Sequence, residues 1–278
     1  MTKRYAIKIA YIGKGYQGFQ RQTESIKTIE GKIIEVLIKL EIIRSLSESR
    51  YSAAGRTDKG VNAISQVIAF DSLREEIHLE ELNTYFPDDI YAWAIAEVNS
   101  DFNARRNAYQ RTYKYYHYYF NENIKLMSKA LKKLEGNHDF TKLCKKDKLV
   151  DGTKKSTEIS LDSAKLRRQR NLIRFEFTSR SFLWNQVRKM VSIVLDVGSG
   201  KYSLDIIDDV LNPETPLPKG GIRLVPPEGL VLYDVKYKSI NFVEVQKKTP
   251  FKARIQKKLN FYSSSSAVME LIKDILLK

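Results

Sequence analysis

The sequence predicts an α+β protein made of two ferredoxin-like domains whose antiparallel sheets meet around a central basic cleft. Strand and helix patterns in the first half run β-α-β-β-α-β, which is the order of a split βαβ fold. The second half repeats that order with one additional helix. The chain has 278 residues, of which 42% are apolar, and this is enough to build two domains with cores of their own.

In the first half, alternating or apolar residues predict strands over residues 4–12, 46–54, 64–71 and 90–98. A glycine-punctuated loop over residues 13–22 precedes a helix for which Thr28 is the expected N-cap. A second, short helix begins at Leu79 and is stopped by Pro87. We therefore expect a first domain over residues 1–106.

In the second half, strands are predicted over residues 110–120, 157–166, 171–180 and 229–237, the middle two forming a hairpin around residues 167–170. Helical periodicity predicts helices over residues 124–134 and 183–197, and a shorter helix capped by Ser203. These elements predict a second domain over residues 107–240. We expect residues 241–278 to form a basic tail that ends in an amphipathic helix capped by the serine run at 263–266.

Composition indicates a polyanion-binding protein of a reducing compartment. The net charge is +15, from 48 Lys and Arg against 33 Asp and Glu, which is typical of nucleic-acid binding, although a merely solubilising charge is the alternative. The single cysteine, Cys144, excludes an internal disulfide. A strand pattern at the N-terminus and the absence of any apolar run near the ~20 residues of a membrane span predict a cytoplasmic protein without a signal peptide.

The sequence contains no pattern of a metal or nucleotide cofactor site. Its three histidines are far apart, and neither they nor Cys144 have the spacing of a zinc site. Neither the GxxxxGK[ST] phosphate loop nor a strand-to-helix GxGxxG is present. We therefore expect no metal and no cofactor.

Three features are candidates for chemistry. Asp58 lies between Gly55 and Gly60 after a predicted strand, as an active-site carboxylate or as an ordinary Asp-Lys-Gly turn. Arg188 lies on the apolar stripe that runs from Trp184 to Leu195 in the helix at 183–197, where it reaches the domain edge, pairs with any nearby acid, or pairs with a carboxylate from the other domain. Tyr113 belongs to an aromatic strand that is either a stacking platform for unpaired bases or a half-buried sheet face.

Residues 54–61 read Ala-Gly-Arg-Thr-Asp-Lys-Gly-Val. This segment looks like the catalytic motif of the TruA family of tRNA pseudouridine synthases, which the chain resembles. The family's other blocks are matched by residues 15–22, 86–90, 101–105, 111–115, 182–198 and 227–230, so the resemblance covers roughly residues 5–237. Family members often have His where this chain has Asn62 and Asn103, and these departures bear on substrate handling rather than on the chemistry.

The resemblance implies an isomerase that converts uridine to pseudouridine in the tRNA anticodon stem-loop, at positions 38–40, without metal or cofactor. It implies that Asp58 is the catalytic carboxylate, which attacks the base, attacks C1′ or abstracts a sugar proton. Arg188 would be its partner, and Tyr113 would stack on the target base and take part in removing the C5 proton. Homodimer formation is implied as well.

The resemblance also implies how RNA is held. Arg56 would fill the space of the flipped base or contact a phosphate, and Leu230 would line the pocket. Thr57, Lys59 and Arg21 complete the expected substrate-binding residues, with cations of the loops at 13–22, 144–155 and 165–170 on tRNA phosphates. The rival interpretations are a non-catalytic RNA-binding protein on the same scaffold, and an unrelated hydrolase that uses Asp58 as nucleophile.

Overall fold

The structure is a computed structural model that describes residues 2–23, 25–145, 156–245 and 249–276. The helices are α1 Ile29–Lys39, α2 Leu79–Tyr85, α3 Ile124–Leu134, α4 Gln186–Gly198, α5 Ile206–Leu211 and α6 Thr249–Leu276. The strands are β1 Lys3–Tyr11, β2 Ser52–Ala53, β3 Asn62–Ser72, β4 Ile90–Val98, β5 Ala108–Tyr118, β6 Gly136–Asp139, β7 Glu158–Gln169, β8 Leu172–Ser179, β9 Leu230–Tyr237 and β10 Val243–Glu244. Short 3₁₀ turns cover Thr141–Leu143 and Pro227–Gly229.

The fold is α+β, with one large and mostly antiparallel sheet. Across the described residues the strand order is β10-β4-β1-β3-β9-β5-β8-β7-β6, and β2 pairs with β3 outside that path. The first half supplies β1 to β4 in the predicted order. The second half contains β6, which the sequence does not predict, and which pairs with β7 at the end of the sheet.

The sheet is continuous, whereas the sequence predicts two sheets. The reason is that β9 lies between the halves: it pairs antiparallel with β5 and parallel with β3, where Asn62 is opposite Val231 and Ala63 opposite Leu232. An open edge of the first half is thereby covered by the last strand of the second half.

Helix α1 illustrates how local sequence dictates structure. The Thr28 side chain accepts a hydrogen bond from the Gly31 amide at 3.1 Å, which confirms the predicted N-cap. Ile29, Ile33 and Leu37 repeat at four-residue spacing and are almost fully buried. Burying these three side chains contributes roughly 1.5–3 kcal/mol each.

Residues 46–51 form turns, although the sequence predicts a strand from 46 to 54. Serine side chains bond to nearby backbone, with Ser49 Oγ donating to the Ser45 carbonyl at 2.6 Å, and Arg50 takes a positive φ of 46°. These local bonds compete with strand pairing, and only Ser52–Ala53 joins the sheet.

The tail also differs from the prediction. Helix α6 passes through the serine run, and Ser265 Oγ donates to the Phe261 carbonyl inside the helix at 2.9 Å instead of capping an end. Its first half contacts the turn before β4, where Arg254 Nε lies 3.1 Å from Asp88 Oδ1. In the part of the chain that the structure describes, no helix combines the length and apolarity that crossing a membrane requires.

Candidate active site

Asp58 lies in the turn between β2 and β3, and both ends of that turn are fixed. The Val61 amide donates to the Asp58 carbonyl at 3.1 Å. Gly60 has a φ of +80°, and a Cβ there would lie 2.9 Å from Cγ of Pro227, so the turn requires glycine. The turn predicted from sequence is therefore present, and the position of Asp58 within it is well determined.

The loop at residues 13–22 supports this turn from the side. Phe19 donates its amide to the Thr57 carbonyl at 3.0 Å, and Tyr11 Oη lies 2.8 Å from Thr57 Oγ1. Gly18, with a φ of +111°, lets the two backbones approach closely, because a Cβ there would lie 3.1 Å from the Thr57 carbonyl oxygen. Thr57 is buried and its hydroxyl points to Tyr11.

Arg188 and Asp58 form an ion pair between the two halves of the chain. Arg188 Nη1 lies 3.6 Å from Asp58 Oδ2, and the two side chains are 12% and 24% exposed. Arg188 is further held by its Nε, which donates to the Val225 carbonyl at 2.8 Å. Of the interpretations that the sequence left open, pairing with a carboxylate from the other half of the chain is the one found.

Tyr113 of β5 is a buried aromatic residue of the same site. Its ring packs edge-on against Phe182, with the ring centroids 5.1 Å apart. Burial raises the pKa of Tyr113 to about 12; the positive charge of Arg111 opposes this and the negative charge of Asp58 adds to it. The phenol is therefore neutral at physiological pH.

The pKa of Asp58 is raised above its ordinary value. Burial is the main cause, since it disfavours the charged form. The Arg188 charge and hydrogen bond, a hydrogen bond from Trp184 and the Lys145 charge all lower the pKa of Asp58, but do not fully offset burial. The carboxylate is thus partly desolvated yet surrounded by groups that stabilise its negative charge.

Trp184 is a site residue that the sequence interpretation missed. It was placed on the apolar stripe of the helix, but α4 begins at Gln186, and Asn185 has a left-handed φ of 65°. Trp184 therefore lies before the helix, and it is among the groups that lower the pKa of Asp58. The signal in the sequence was a tryptophan four residues before Arg188 on the same predicted helix face. The helical spacing of Trp184 was interpreted as core packing.

The predicted substrate-binding residues divide into two groups. Arg56, Lys59 and Arg21 are exposed, as contacts to RNA require. Glu30 links two of them, because the charges of Arg56 and Arg21 both lower its pKa, which burial raises overall. Leu230 is buried at the start of β9, opposite Tyr115 of β5.

Asn62 connects three segments that are distant in sequence. Its side-chain oxygen accepts from the Gly13 amide at 3.0 Å, and its amide nitrogen donates to the carbonyls of Glu228 at 2.8 Å and Leu230 at 3.3 Å. Asn103 instead closes a turn, accepting from the amides of Arg105 and Arg106 at 3.0 Å each. Asn62 and Asn103, the two departures from the family pattern, therefore both stabilise local structure in this chain.

The structure describes the basic loops only in part. Of the loop at 144–155, residues 146–155 lie outside the described residues. In the loop at 165–170, the Arg168 guanidinium lies 3.7 Å from the ring centroid of Tyr119, and Arg170 has a φ of 53° at the turn of the β7–β8 hairpin. Among the described residues, no group of three or more His, Cys, Asp and Glu side chains is arranged to hold a metal ion.

Known proteins resemble this chain over most of its length. A family model described as tRNA pseudouridine synthase matches residues 130–238. A tRNA pseudouridine synthase A from Archaeoglobus fulgidus is 39% identical over 239 residues, covering 86% of this chain and 85% of that protein. One from Methanobrevibacter smithii is 35% identical, covering 87% and 86%.

A human tRNA pseudouridine(38/39) synthase is 34% identical, covering 90% of this chain and 58% of the human protein. A solved structure of a Cbf5-Nop10-Gar1 complex aligns with 68% of this chain and 54% of its own at 11% identity, but its TM-score of 0.30 is too low to support an argument. The archaeal matches extend over both halves of the chain and nearly the full length of those proteins. The chain belongs to the TruA family of tRNA pseudouridine synthases.

Proposed function

We propose that this protein isomerises uridine to pseudouridine in the anticodon stem-loop of tRNA. The observation that carries the proposal is the ion pair between Asp58 and Arg188, with Tyr113 beside it, because these groups come from different parts of the chain and meet at one carboxylate. A protein that only binds RNA has no need of a desolvated carboxylate with a paired guanidinium.

The reaction is an intramolecular transfer without net oxidation or reduction. The bond from C1′ to N1 of uracil breaks, and a bond from C1′ to C5 forms. N1 gains a proton and C5 loses one to water, so atoms and charge balance. The target base would leave the helical stack to reach Asp58, which costs a few kcal/mol.

Each residue has a distinct role in the proposed mechanism. Asp58 supplies the ionised oxygen that starts the reaction, and Arg188 stabilises its charge and fixes its orientation. Tyr113 packs against the extruded base and assists removal of the C5 proton. Arg56 either occupies the vacated space or contacts a phosphate, and Leu230 lines the wall behind the base.

We assign the wider properties on the same basis. Relatives from Homo sapiens and Bos taurus are named tRNA pseudouridine(38/39) synthase, which supports uridines of the anticodon arm, within positions 38–40, as targets. We infer two ferredoxin-like units, residues 1–106 and 107–240, joined through β9, with residues 241–278 as an appended tail. A cytoplasmic homodimer is part of this proposal.

Release of tritium from tRNA that carries tritium at uracil C5 tests the function. We expect release by the wild type and none by Asp58→Ala, with tRNA binding retained in the variant. Binding without release by the wild type would instead establish a non-catalytic RNA-binding protein. Equal release by both proteins would remove Asp58 from the mechanism.

A further inference from the structure

A cavity of about 740 Å³ lies where the two halves of the chain are joined, and none of its lining residues belongs to the Asp58 site. It is formed by the segment between β4 and β5, the residue after β8 and the residues at the end of β9, and we call it the linker cavity. Its lining includes Asn99, Arg106, Tyr109, Arg180, Tyr237 and Lys238. Ligand sites measure roughly 300–1,000 Å³, so the linker cavity is large enough for a small organic group.

The linker cavity is basic. Arg106, Arg180 and Lys238 line it together with a single acid, Asp101. All three cations are exposed, and within the described part of the chain none of them forms an ion pair. Cations that converge on one concavity without a paired acid attract an anion. The net charge of +15 favours RNA phosphate as that anion.

The linker cavity also contains aromatic rings. Phe102 and Tyr237 meet edge-on, with the ring centroids 5.1 Å apart. Tyr237 Oη donates to the Ala104 carbonyl at 2.6 Å, which fixes the position of the Tyr237 ring. Tyr109 is 43% exposed, so much of its ring is open to solvent. An open aromatic ring beside several cations suits a nucleotide, whose base stacks on the ring while its phosphate pairs with the cations.

One guanidinium connects the linker cavity to the segment of the catalytic carboxylate. Arg111 is buried, and its Nη2 donates to the carbonyls of Ala54 at 2.7 Å and Arg105 at 2.9 Å. Its Nη1 donates to the carbonyl of Arg180, in the cavity wall. Ala54 precedes Asp58 by four residues, so the cavity and the catalytic turn are held in a fixed relative position.

The linker cavity lies within reach of an RNA strand bound at Asp58. Tyr109 of the cavity and Tyr113 of the active site both belong to β5, four residues apart, which is roughly 13 Å at the rise of a strand. Successive nucleotides of one stacked strand rise about 3.4 Å, so a few nucleotides span this distance. A nucleotide near the target uridine can therefore enter the cavity while the target occupies the active site.

We propose that the linker cavity binds a nucleoside monophosphate unit, namely one unpaired nucleotide of the substrate RNA a few positions from the target uridine. Its base stacks on Tyr109, and its phosphate pairs with Arg106 and Arg180, with Lys238 as a further cation. The inference rests on the proposed function, because that function supplies the RNA. A free nucleotide has the same chemistry and is the alternative source.

Photo-crosslinking locates the bound nucleotide. Anticodon stem-loop RNAs that carry 5-iodouracil at one loop position at a time are irradiated in complex with Asp58→Ala, the variant expected to bind without turnover. Irradiated 5-iodouracil couples to an aromatic side chain against which it lies. We expect one position other than the target to couple to Tyr109. If no loop position couples to residues 99–109, the inference is overturned.

A second tyrosine provides the matched control for this crosslink. Tyr85 is 45% exposed, and Lys39 Nζ lies 4.6 Å from its ring centroid, so it too is an open ring beside a cation. In the Asp58→Ala background, Tyr109→Leu should abolish the crosslink and Tyr85→Leu should leave it intact. A crosslink that survives Tyr109→Leu would contradict stacking on Tyr109.

The salt dependence of stem-loop binding counts the phosphate contacts. Arg106→Gln/Arg180→Gln removes two cations of the cavity, and Lys125→Gln/Lys129→Gln removes two exposed cations of α3 as the control. The slope of log affinity against log salt should fall in magnitude by about 1.4 in the cavity variant, at about 0.7 per contact, and stay unchanged in the control. Affinity near 0.1 M salt should fall about tenfold or more. Equal slopes in the two variants would refute a cavity-specific phosphate contact.

Equilibrium dialysis with radiolabelled UMP distinguishes the two sources of the nucleotide. We expect UMP alone to bind far more weakly than the stem-loop. Saturable UMP binding that Arg106→Gln/Arg180→Gln abolishes, with stem-loop affinity unchanged, would assign the cavity to a free nucleotide and overturn the RNA assignment. If the wild type releases no tritium from tRNA, the proposed function fails, while the crosslink and the salt dependence still decide whether RNA enters the cavity.

Discussion

Arg188→Ala should destabilise the protein as well as inactivate it, because the side chain holds two partners in a partly buried site. At 3.6 Å and an effective dielectric constant of 20, the attraction between Arg188 and Asp58 is about 5 kcal/mol before desolvation is considered. Removing one partner of a buried pair costs about 3–5 kcal/mol. In the variant, Trp184 and Lys145 still act to lower the pKa of Asp58 and so favour its charged form, and we therefore expect the lower end, about 3 kcal/mol.

Urea unfolding at neutral pH measures this loss, and Arg74→Ala is a suitable control. Arg74 pairs with Glu81 at 2.9 Å, but both side chains are more than a third exposed, and such surface pairs contribute about 0–1 kcal/mol. A double-mutant cycle between Asp58→Ala and Arg188→Ala should give a coupling free energy of about 1–2 kcal/mol. An Arg188→Ala protein as stable as Arg74→Ala, or a coupling near zero, would refute this reading of the pair.

Three further outcomes are expected from other parts of the structure. Burial acts to raise the pKa of Asp71, but hydrogen bonds from Arg50 and Arg4 lower it overall. Asp71→Asn should therefore lower the free energy of unfolding by roughly 3 kcal/mol at neutral pH. This difference between wild type and variant should shrink as the pH falls through the lowered pKa, which urea unfolding across that pH range measures. Gly229→Ala should cost about 1–3 kcal/mol in thermal or urea unfolding, because the added Cβ would lie 2.8 Å from Cζ of Tyr115; unchanged stability would contradict that close approach. Tyr113→Phe should lower tritium release by roughly 100-fold or more with tRNA binding intact, if its hydroxyl assists removal of the C5 proton; a small change would leave the ring as a packing surface only.

Local patterns predicted the elements whose structure is set locally. Thr28 and the stripe that follows it define α1 without help from the remainder of the chain. Residues 46–51 were predicted wrongly because serine side chains satisfy the backbone there, which hydrophobic alternation does not register. The parallel pairing of β3 with β9 joins residues about 170 positions apart, and periodicity carries no information about such pairing.

The candidate site was predictable where a charged residue occurs among apolar residues of a predicted helix face. Arg188 drew attention as a guanidinium on an apolar stripe, and its partner proved to be Asp58. Trp184 fitted the stripe and so was assigned to the core, although the left-handed backbone of Asn185 places it ahead of the helix. Because Trp184 matches the helical spacing of apolar residues, nothing in the sequence indicates that it lies outside the helix.

The position of β9 in the sheet has a consequence for synthesis on the ribosome. Strands β3 and β5 are not neighbours, and residues 230–237 must lie between them before the halves of the sheet are joined. While the nascent chain ends before those residues, each half presents an unpaired edge, which is open to association with other chains. Assembly of the site around Asp58 is therefore a late event, and ribosome-bound nascent chains should become protease-resistant as one unit only after residues 230–237 have left the exit tunnel.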